Sequence, residues 1–390
     1  MIRSKLKVLS CCTNFPTRNY PTHGLFVRRR LELVSKHVDL RFLNLQPYFP
    51  ILRPRAPDAP LQSTEFSVDI RRMLYLPGVV KQWDGGWLER SLSKWLDSLP
   101  ASVIDGAVVD AHFGYPEGVG CYRAARKRKL PLFITVRGLE TELMQVPKIK
   151  SQMLEAFDYA QGIISVSDSL KKTLEDNGVA QGKIRVIGNG VDSDVYLPGD
   201  KAAARERLGI GQEVKLIVAV GNIQRRKGYD ILVDALTFRK DSQRVLCAII
   251  GGVNEPSMLE LLNSRIKELK LENCIRFLGQ QTPDVVVDWL RASDAFVLPT
   301  RREGCCNAVL EALSTGAPVI TTPAGDNTKF VKDGINGFIV PHDDPQSLAA
   351  AIEKSWVHSW DSPTITGSVR PFTWEGTAEK VVEYFFERLF

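Results

Sequence analysis

Glu303 and Glu311, with seven residues between them, form the acidic pair in this sequence best placed to do chemistry. They stand in Pro299-Thr300-Arg301-Arg302-Glu303-Gly304-Cys305-Cys306-Asn307-Ala308-Val309-Leu310-Glu311-Ala312. A strand ends at Pro299, a short loop carries Glu303, and a helix begins near Asn307. A loop carboxylate can accept hydrogen bonds from sugar hydroxyls, while the N–H groups of a helix start favour phosphate. The same pattern also describes a capped helix with two solvated acids. A second group is Gly221-Asn222-Ile223-Gln224-Arg225-Arg226-Lys227-Gly228, where three consecutive cations sit between glycines. Backbone N–H groups and side-chain charge there can hold a phosphate, or the segment is a solvated basic turn. It lacks the GK[ST] ending of a P-loop.

Three further positions follow strand ends. Ile187-Gly188-Asn189-Gly190-Val191-Asp192 reads as a strand running into a tight turn, since Asn-Gly is a turn signal. The Asp192-Ser193-Asp194 that follows superficially resembles a metal-binding pair, but no third ligand is suggested, and no metal is expected. His112 follows a strand and is either a site residue or a hydrogen-bonded structural histidine. His23-Gly24 follows the first strand, where glycine allows close backbone approach to a ligand.

These residues need a scaffold, and the sequence alternates short β-branched runs with helical stretches, the pattern of parallel α/β units. Strands are expected at Leu6–Ser10, Val38–Leu43, Gly106–Ala111, Leu132–Val136 and Gly162–Val166, with helices at Phe26–Lys36, Gly118–Arg128 and Ser167–Asn177. Pro50–Pro60 reads as an exposed loop. After a break at Leu197-Pro198-Gly199-Asp200 the alternation restarts. Strands are expected at Lys215–Val220, Val245–Ile250, Ile275–Leu278, Ala295–Leu298, Pro318–Thr321 and Gly337–Val340. Helices are expected at Tyr229–Leu236, Pro256–Leu269, Asn307–Ser314 and Gln346–Lys354. Ligands of open α/β sheets bind beyond the carboxyl ends of the strands, where the candidate residues stand.

The 390 residues, 44% hydrophobic and 25% charged, suit two globular domains and exclude disorder, collagen and coiled coil. The net charge of +6 is uneven. Residues 1–150 hold 24 Lys+Arg and 13 Asp+Glu, a net of +11; residues 151–200 hold 4 and 8, a net of −4; the rest hold 23 and 24, a net of −1. A basic front half implies an anionic partner. Seven scattered cysteines without C-x-x-C spacing suggest free thiols in a reducing cytosol. The first ten residues lack a secretory core, and no run approaches 18 apolar residues. A cytoplasmic chain is expected, with peripheral attachment to the inner face of the membrane left open.

From about Ile184 to Pro341 the sequence resembles the family 4 glycosyltransferases, specifically bacterial exopolysaccharide and teichuronic-acid types. The resemblance is carried by Asn189-Gly190-Val191-Asp192, Lys227-Gly228, Ile250-Gly251-Gly252, Phe277-Leu278-Gly279, Ala292-Ser293-Asp294, the Glu303/Glu311 pair, Gly316-Ala317-Pro318-Val319-Ile320 and Asp333-Gly334-Ile335-Asn336-Gly337-Phe338. The front half matches more loosely, through Gly24, His112 and Ser165-Val166-Ser167. The resemblance implies a GT-B fold, two Rossmann-like domains facing across a cleft. Residues 1–197 would form the acceptor-side domain and 198–370 the nucleotide-sugar domain. Residues 371–390, with the helix Ala378–Leu389, would pack back on the first domain.

The family pattern implies a retaining, metal-independent hexosyl transfer, as in polysaccharide biosynthesis. It would run from a nucleotide-diphosphate sugar to a growing glycan or lipid-linked acceptor, with no cofactor. Lys227 would contact the diphosphate, Glu303 the donor sugar and Glu311 the ribose, with Gly304, Cys305, Cys306 and Asn307 beside the sugar and phosphates. His112, Lys227 and Glu303 would be the catalytic residues, and Gly24 and Asn189 would join the donor site. Where the family usually has arginine this chain has Asn222, and Arg225 or Arg226 is the candidate replacement. Arg137 stands where many members have histidine, and is open between an acceptor or phosphate contact and a surface arginine. Ala324-Gly325-Asp326-Asn327-Thr328-Lys329 departs from the family's Gly-Gly and glutamate. Alternative readings are a nucleotide-sugar epimerase of the same fold or a non-catalytic sugar- or nucleic-acid-binding protein. The acidic pair argues against the epimerase, and no recognition motif supports nucleic acid. Arg28-Arg29-Arg30, Arg123 and Arg126–Lys129, with Trp83, Trp87 and Trp95 near a helix Leu88–Leu99, suggest a surface for anionic lipid or a solvated face with inward tryptophans.

Overall fold

The computed structural model describes residues 5–49, 58–59, 65–76, 80–240 and 243–390. The Pro50–Pro60 stretch lies outside the described residues, except for residues 58 and 59. Two compact units divide the chain: Met1–Asn189 together with Trp374–Phe390, and Gly190–Thr373.

The first unit is built on seven parallel strands. They are β1 (Lys7–Cys12), β2 (Asp39–Tyr48), β3 (Ser67–Leu74), β4 (Val108–His112), β5 (Leu132–Val136), β6 (Gly162–Ser165) and β7 (Ile184–Val186). Their order is β3-β2-β1-β4-β5-β6-β7. The central strands read as continuous apolar runs because helices cover both faces, and β4 and β5 are buried at every position. β3 and β7 lie at the edges; β3 was not expected, whereas β7 is the strand that runs into the Gly188–Asp192 turn. β3 is mostly half-exposed and carries Asp69, Arg71 and Arg72, which breaks its apolar pattern.

The second unit repeats the topology with β8 (Lys215–Val220), β9 (Val245–Ile250), β10 (Ile275–Gly279), β11 (Ala295–Leu298), β12 (Val319–Thr321) and β13 (Gly337–Ile339). The order is β10-β9-β8-β11-β12-β13, again all parallel. In each sheet the direction of winding reverses once, between β1 and β4 and between β8 and β11. Loops leaving those strands splay apart and leave a crevice.

The helix Trp374–Leu389 belongs to the first unit and starts ahead of the expected Ala378. Trp374, Ala378, Val381, Tyr384 and Phe385 join its core, where the Phe385 and Phe133 rings lie 4.5 Å apart. The Tyr384 hydroxyl donates to the Lys183 carbonyl at 2.7 Å. Gly162 makes room for this helix, because a Cβ there would lie 2.8 Å from the Tyr384 ring.

The chain leaves the first unit at Asn189, ahead of the Leu197–Asp200 break. The N–H of Val191 already donates to the Phe372 carbonyl at 2.8 Å, and the Tyr196 carbonyl accepts from Ser314 Oγ at 2.6 Å, both within the second unit. Asp200 marks a helix start instead, its side chain accepting from the Ala203 N–H to cap Lys201–Leu208.

Candidate active site

The crevice between β8 and β11 is shaped by glycine. Beyond β8, Arg225–Lys227 make a short 3-10 turn that ends at Gly228, with φ 71°. A Cβ on Gly228 would lie 2.0 Å from the Pro299 carbonyl oxygen, so only glycine lets this turn press against the end of β11. Hydrogen bonds hold the two loops in register. The Arg301 N–H donates to the Arg226 carbonyl at 2.8 Å, and the Arg301 guanidinium holds Asp230 through two bonds of 2.9 and 2.7 Å.

Lys227 and Glu303 meet at this seam. Lys227 Nζ lies 2.7 Å from Glu303 Oε1, and Arg226 Nη1 lies 2.9 Å from Glu303 Oε2. The Thr300 hydroxyl is 2.9 Å from Glu303 Oε1. The Glu303 side chain is 5% exposed and that of Lys227 9%, whereas Arg226 keeps 37% of its surface. Burial would raise the Glu303 carboxyl, but the Lys227 charge, then Arg226, override it and hold the group below its ordinary value. The acid stays ionised between two cations, one of them reachable from solvent.

Glu311, on the helix Asn307–Ser314, behaves differently. Burial pushes its carboxyl up to about 7, against the pull of a hydrogen bond from Tyr196 and the charge of Lys227. The Tyr196 hydroxyl is itself raised, by burial first and then by Glu311. Lys227 thus acts on both carboxylates.

The remaining donor-side candidates divide into ties and open groups. Asn222 Oδ1 accepts from the Gly252 N–H at 3.0 Å, which joins the loops after β8 and β9. The Arg225 side chain is exposed, while its carbonyl accepts from Arg301 at 2.7 Å. Gly304 packs under the Ala324-Gly325 turn, because a Cβ on Gly325 would lie 2.8 Å from the Gly304 carbonyl. Cys306 is a buried thiol pushed up to about 12 by desolvation, then by Glu303. Cys305 is half-buried, and its carbonyl accepts from the Asn307 N–H at 3.1 Å.

In the first unit the polar cluster lies at the carboxyl ends of β1 and β4. His112 has no exposed surface, and both ring nitrogens are engaged. Arg137 Nη2 lies 3.0 Å from Nδ1, and because arginine only donates, Nδ1 is the acceptor. Nε2 therefore carries the hydrogen and faces Asp110 Oδ2 at 3.1 Å. Burial drives His112 down to about 4 despite the Asp110 charge, so it is a neutral imidazole near pH 7. Ser10 donates to Asp110 Oδ2 at 3.0 Å, while Arg30 reaches Asp110 Oδ1 at 3.4 Å and Thr135 Oγ1 at 2.6 Å. Arg137 also donates to Asn189 Oδ1 at 3.1 Å. The structure therefore brings His112, Arg137 and Asn189 together and encloses the imidazole. Gly24, with φ 64°, is held close by its own loop, since a Cβ would lie 2.2 Å from the Asn14 carbonyl.

One expectation for the basic surface is corrected, and the alternative of inward tryptophans holds for Trp95. Arg28-Arg29-Arg30 is not a solvated patch: Arg30 is in the core, Arg28 pairs with Glu32 at 2.6 Å, and Arg29 lies 3.6 Å from Glu375. Trp95 is 1% exposed and donates to Asp69 Oδ2 at 2.7 Å, so it anchors the helix Asp84–Ser98, which also starts earlier than expected. Among residues that sequence reasoning missed, Asp110 had a signal, since it precedes His112 by two positions on the same strand face. Glu140 was also passed over: its carboxylate accepts from the nearby Arg137 and Gly138 N–H groups at 3.0 and 2.8 Å, and from the remote Gly114 N–H at 2.7 Å, a contact that only the fold supplies.

Residues 200–362 match a family model described as glycosyl transferases group 1, and residues 50–195 match glycosyltransferase family 4. The chain belongs to the family 4 glycosyltransferases. A D-inositol 3-phosphate glycosyltransferase of Geodermatophilus obscurus is 29% identical to this family 4 chain over 233 residues, 56% of this chain and 51% of that protein. The chain thus spans about half the length of the curated relatives it matches. Sucrose-phosphate synthase from Thermosynechococcus elongatus has the same fold, with a TM-score of 0.82 at 18% identity, covering 98% of this chain and 99% of the other. Anabaena HepE, solved in complex with UDP-glucose, gives 0.77 at 18% identity and 98% and 100% coverage. The two parallel sheets are those of a GT-B glycosyltransferase.

Proposed function

We propose that this chain transfers a sugar from a nucleotide-diphosphate donor to a glycan or lipid-linked acceptor, with retention at the anomeric carbon and without a metal ion. The observation that carries the reading is the triad of Lys227, Arg226 and Glu303 at the winding reversal of the second sheet. Breaking a sugar–phosphate bond builds negative charge on the departing nucleoside diphosphate. Lys227 and the partly exposed Arg226 are preorganised cations for that charge, and the N-terminus of the Asn307–Ser314 helix adds N–H groups. Glu303, ionised between them, is an acceptor for sugar hydroxyls. Glu311 is the candidate for the ribose. A family neighbour that binds UDP-glucose supports a donor of this type.

His112, expected among the catalytic residues, enters this reading as a positioning residue instead, because its ring is fully enclosed with both nitrogens engaged. Its neutral ring, fixed by Asp110 and Arg137, orients the loop that follows β4, where Phe113 holds φ 79°. The acceptor hydroxyl attacks the face from which the diphosphate leaves, and the departing phosphate oxygen takes the hydroxyl proton.

Incubation with a panel of UDP-, GDP- and ADP-sugars, read by calorimetric binding and slow hydrolysis, tests the donor. Anomeric analysis of the product tests retention. No binding to any nucleotide sugar overturns the reading. So does an inverted product, or interconversion of the donor sugar without an acceptor, which is the behaviour of an epimerase.

A further inference from the structure

A broad concavity in the first unit lies away from the strand-end cluster, between the outer faces of the helices Asp84–Ser98, Val119–Arg128 and Pro147–Tyr159. Its volume is about 1180 Å³. The helical pattern explains the split of faces. Leu88, Leu92, Trp95 and Leu96 point into the core, which leaves Trp87, Arg90, Lys94 and Asp97 along the groove. The two walls are held close by glycines: a Cβ on Gly85 would lie 2.7 Å from Val119, and one on Gly120 would lie 2.4 Å from Leu88.

The groove carries an unbalanced charge. Lys127 is paired with Glu89 at 2.9 Å and Arg128 with Asp97 at 2.5 Å, which accounts for both acids in the lining. Arg123 donates to the uncharged Gln152 at 2.9 Å. Arg90, Lys94 and Lys148 are exposed and form no ion pair among the described residues. Four positive charges therefore face the groove without a carboxylate partner. The basic last turn of the Val119–Arg128 helix is explained by its own dipole, but Arg90 and Lys94 sit mid-helix and gain nothing from one. At one end stand Trp83, 54% exposed, and the half-buried Trp87. That end is tied to the carboxyl edge of the sheet, because the Tyr115 hydroxyl, on the loop after β4, donates to the Lys81 carbonyl.

We infer that this groove binds an anionic glycan, a chain of sugar rings bearing carboxylates or phosphates, and so holds the acceptor. The tryptophan faces offer apolar contact to sugar rings, and the cations along the walls match charges spaced along a chain. A concave trough with paired walls suits a strand-like polymer, whereas a bilayer presents a flat face. The inference rests on the glycosyltransferase reading and specifies its acceptor class.

The test uses the full chain with oligogalacturonate as the anionic probe and dextran oligomers of equal length as the neutral one. Binding is followed by tryptophan fluorescence and calorimetry. Oligogalacturonate is expected to bind and dextran not, with affinity falling as salt rises. Arg90→Glu with Lys94→Glu should weaken oligogalacturonate by about tenfold or more, near 1.4 kcal/mol per tenfold step. Lys148→Glu, on a different helix, decides the matter if the double variant does not fold. Unchanged affinity in the folded variants overturns the inference, as does equal binding of dextran. Tighter binding of an oligonucleotide, or anionic phosphatidylglycerol vesicles displacing the oligomer, also overturns it. Because oligomer binding is read without donor, its failure beside intact donor hydrolysis removes only the groove. Absent donor binding removes the function reading instead.

Discussion

Each unit places a buried ion cluster where its sheet reverses direction, and the two clusters are built to opposite ends. In the first unit Asp110 is surrounded by Arg30, His112 and Ser10, all enclosed. In the second, Glu303 is equally buried but one of its two cations, Arg226, reaches solvent. An enclosed cluster fixes the shape of the loops around it, because any exchange of partner would strand a charge in low dielectric. A cluster with an open cation can exchange a carboxylate for a phosphate without that cost. The same topology thus yields a scaffold in one unit and a candidate binding site in the other.

The sharpest way to break this contrast is to remove the central acid of the closed cluster. Asp110→Ala leaves Arg30 buried without its counter-charge and should destabilise the chain by about 3–5 kcal/mol. Thermal melting checks it, and an unchanged melting temperature would mean that the cluster is not structural. Next in size is the open cluster: Lys227→Ala should slow donor turnover by about 10²–10³ while melting changes far less than in Asp110→Ala. A loss of stability equal to that of Asp110→Ala would erase the distinction. Gly228→Ala, forced to φ 71° against the Pro299 carbonyl, should cost about 1–3 kcal/mol and weaken donor binding, measured by calorimetry.

A pH experiment separates the acids more finely. The Glu311 carboxyl moves from an ordinary 4.5 to about 7 in the folded chain. Between those values the folded state holds the proton more firmly than the unfolded state, so the contribution is complete below about 4.5 and is lost as pH rises through about 7. Urea unfolding between about pH 5 and about pH 8 should show a shallower decline in Glu311→Gln than in the parent. An identical slope would place the titration elsewhere. The smallest effect belongs to Arg225→Ala, an exposed side chain worth under about 1 kcal/mol in donor binding. Arg226→Ala should exceed it, and the reverse order would assign Arg225 as the replacement for the family arginine missing at Asn222.

The sequence was most legible where local pattern and buried position agree. β8, β9 and β11 coincide with the expected strands because their apolar runs are enclosed on both faces. The helix Asn307–Ser314 was equally clear, and its ordered neighbours carried the family resemblance. β3 was hidden because an edge strand can expose arginines without penalty. Lys227 and Glu303 were both named, but their direct contact was not, since nothing local links residues so far apart in sequence. Arg30 looked like one cation among three and turned out to be internal. Its partner Asp110, 80 residues further along the chain, is supplied by a strand on the other side of the winding reversal.

The helix Trp374–Leu389 has a consequence for how the molecule is made. Its aromatic face completes the core of a unit whose other residues all precede Gly190. During synthesis the second unit, contiguous in sequence, can close as soon as it is made, while the first waits with an open seam around Phe133 until the chain has been extended through Phe385. The unit translated first is therefore the one finished last, and a released chain truncated before Trp374 would present a folded second unit and an exposed apolar first one.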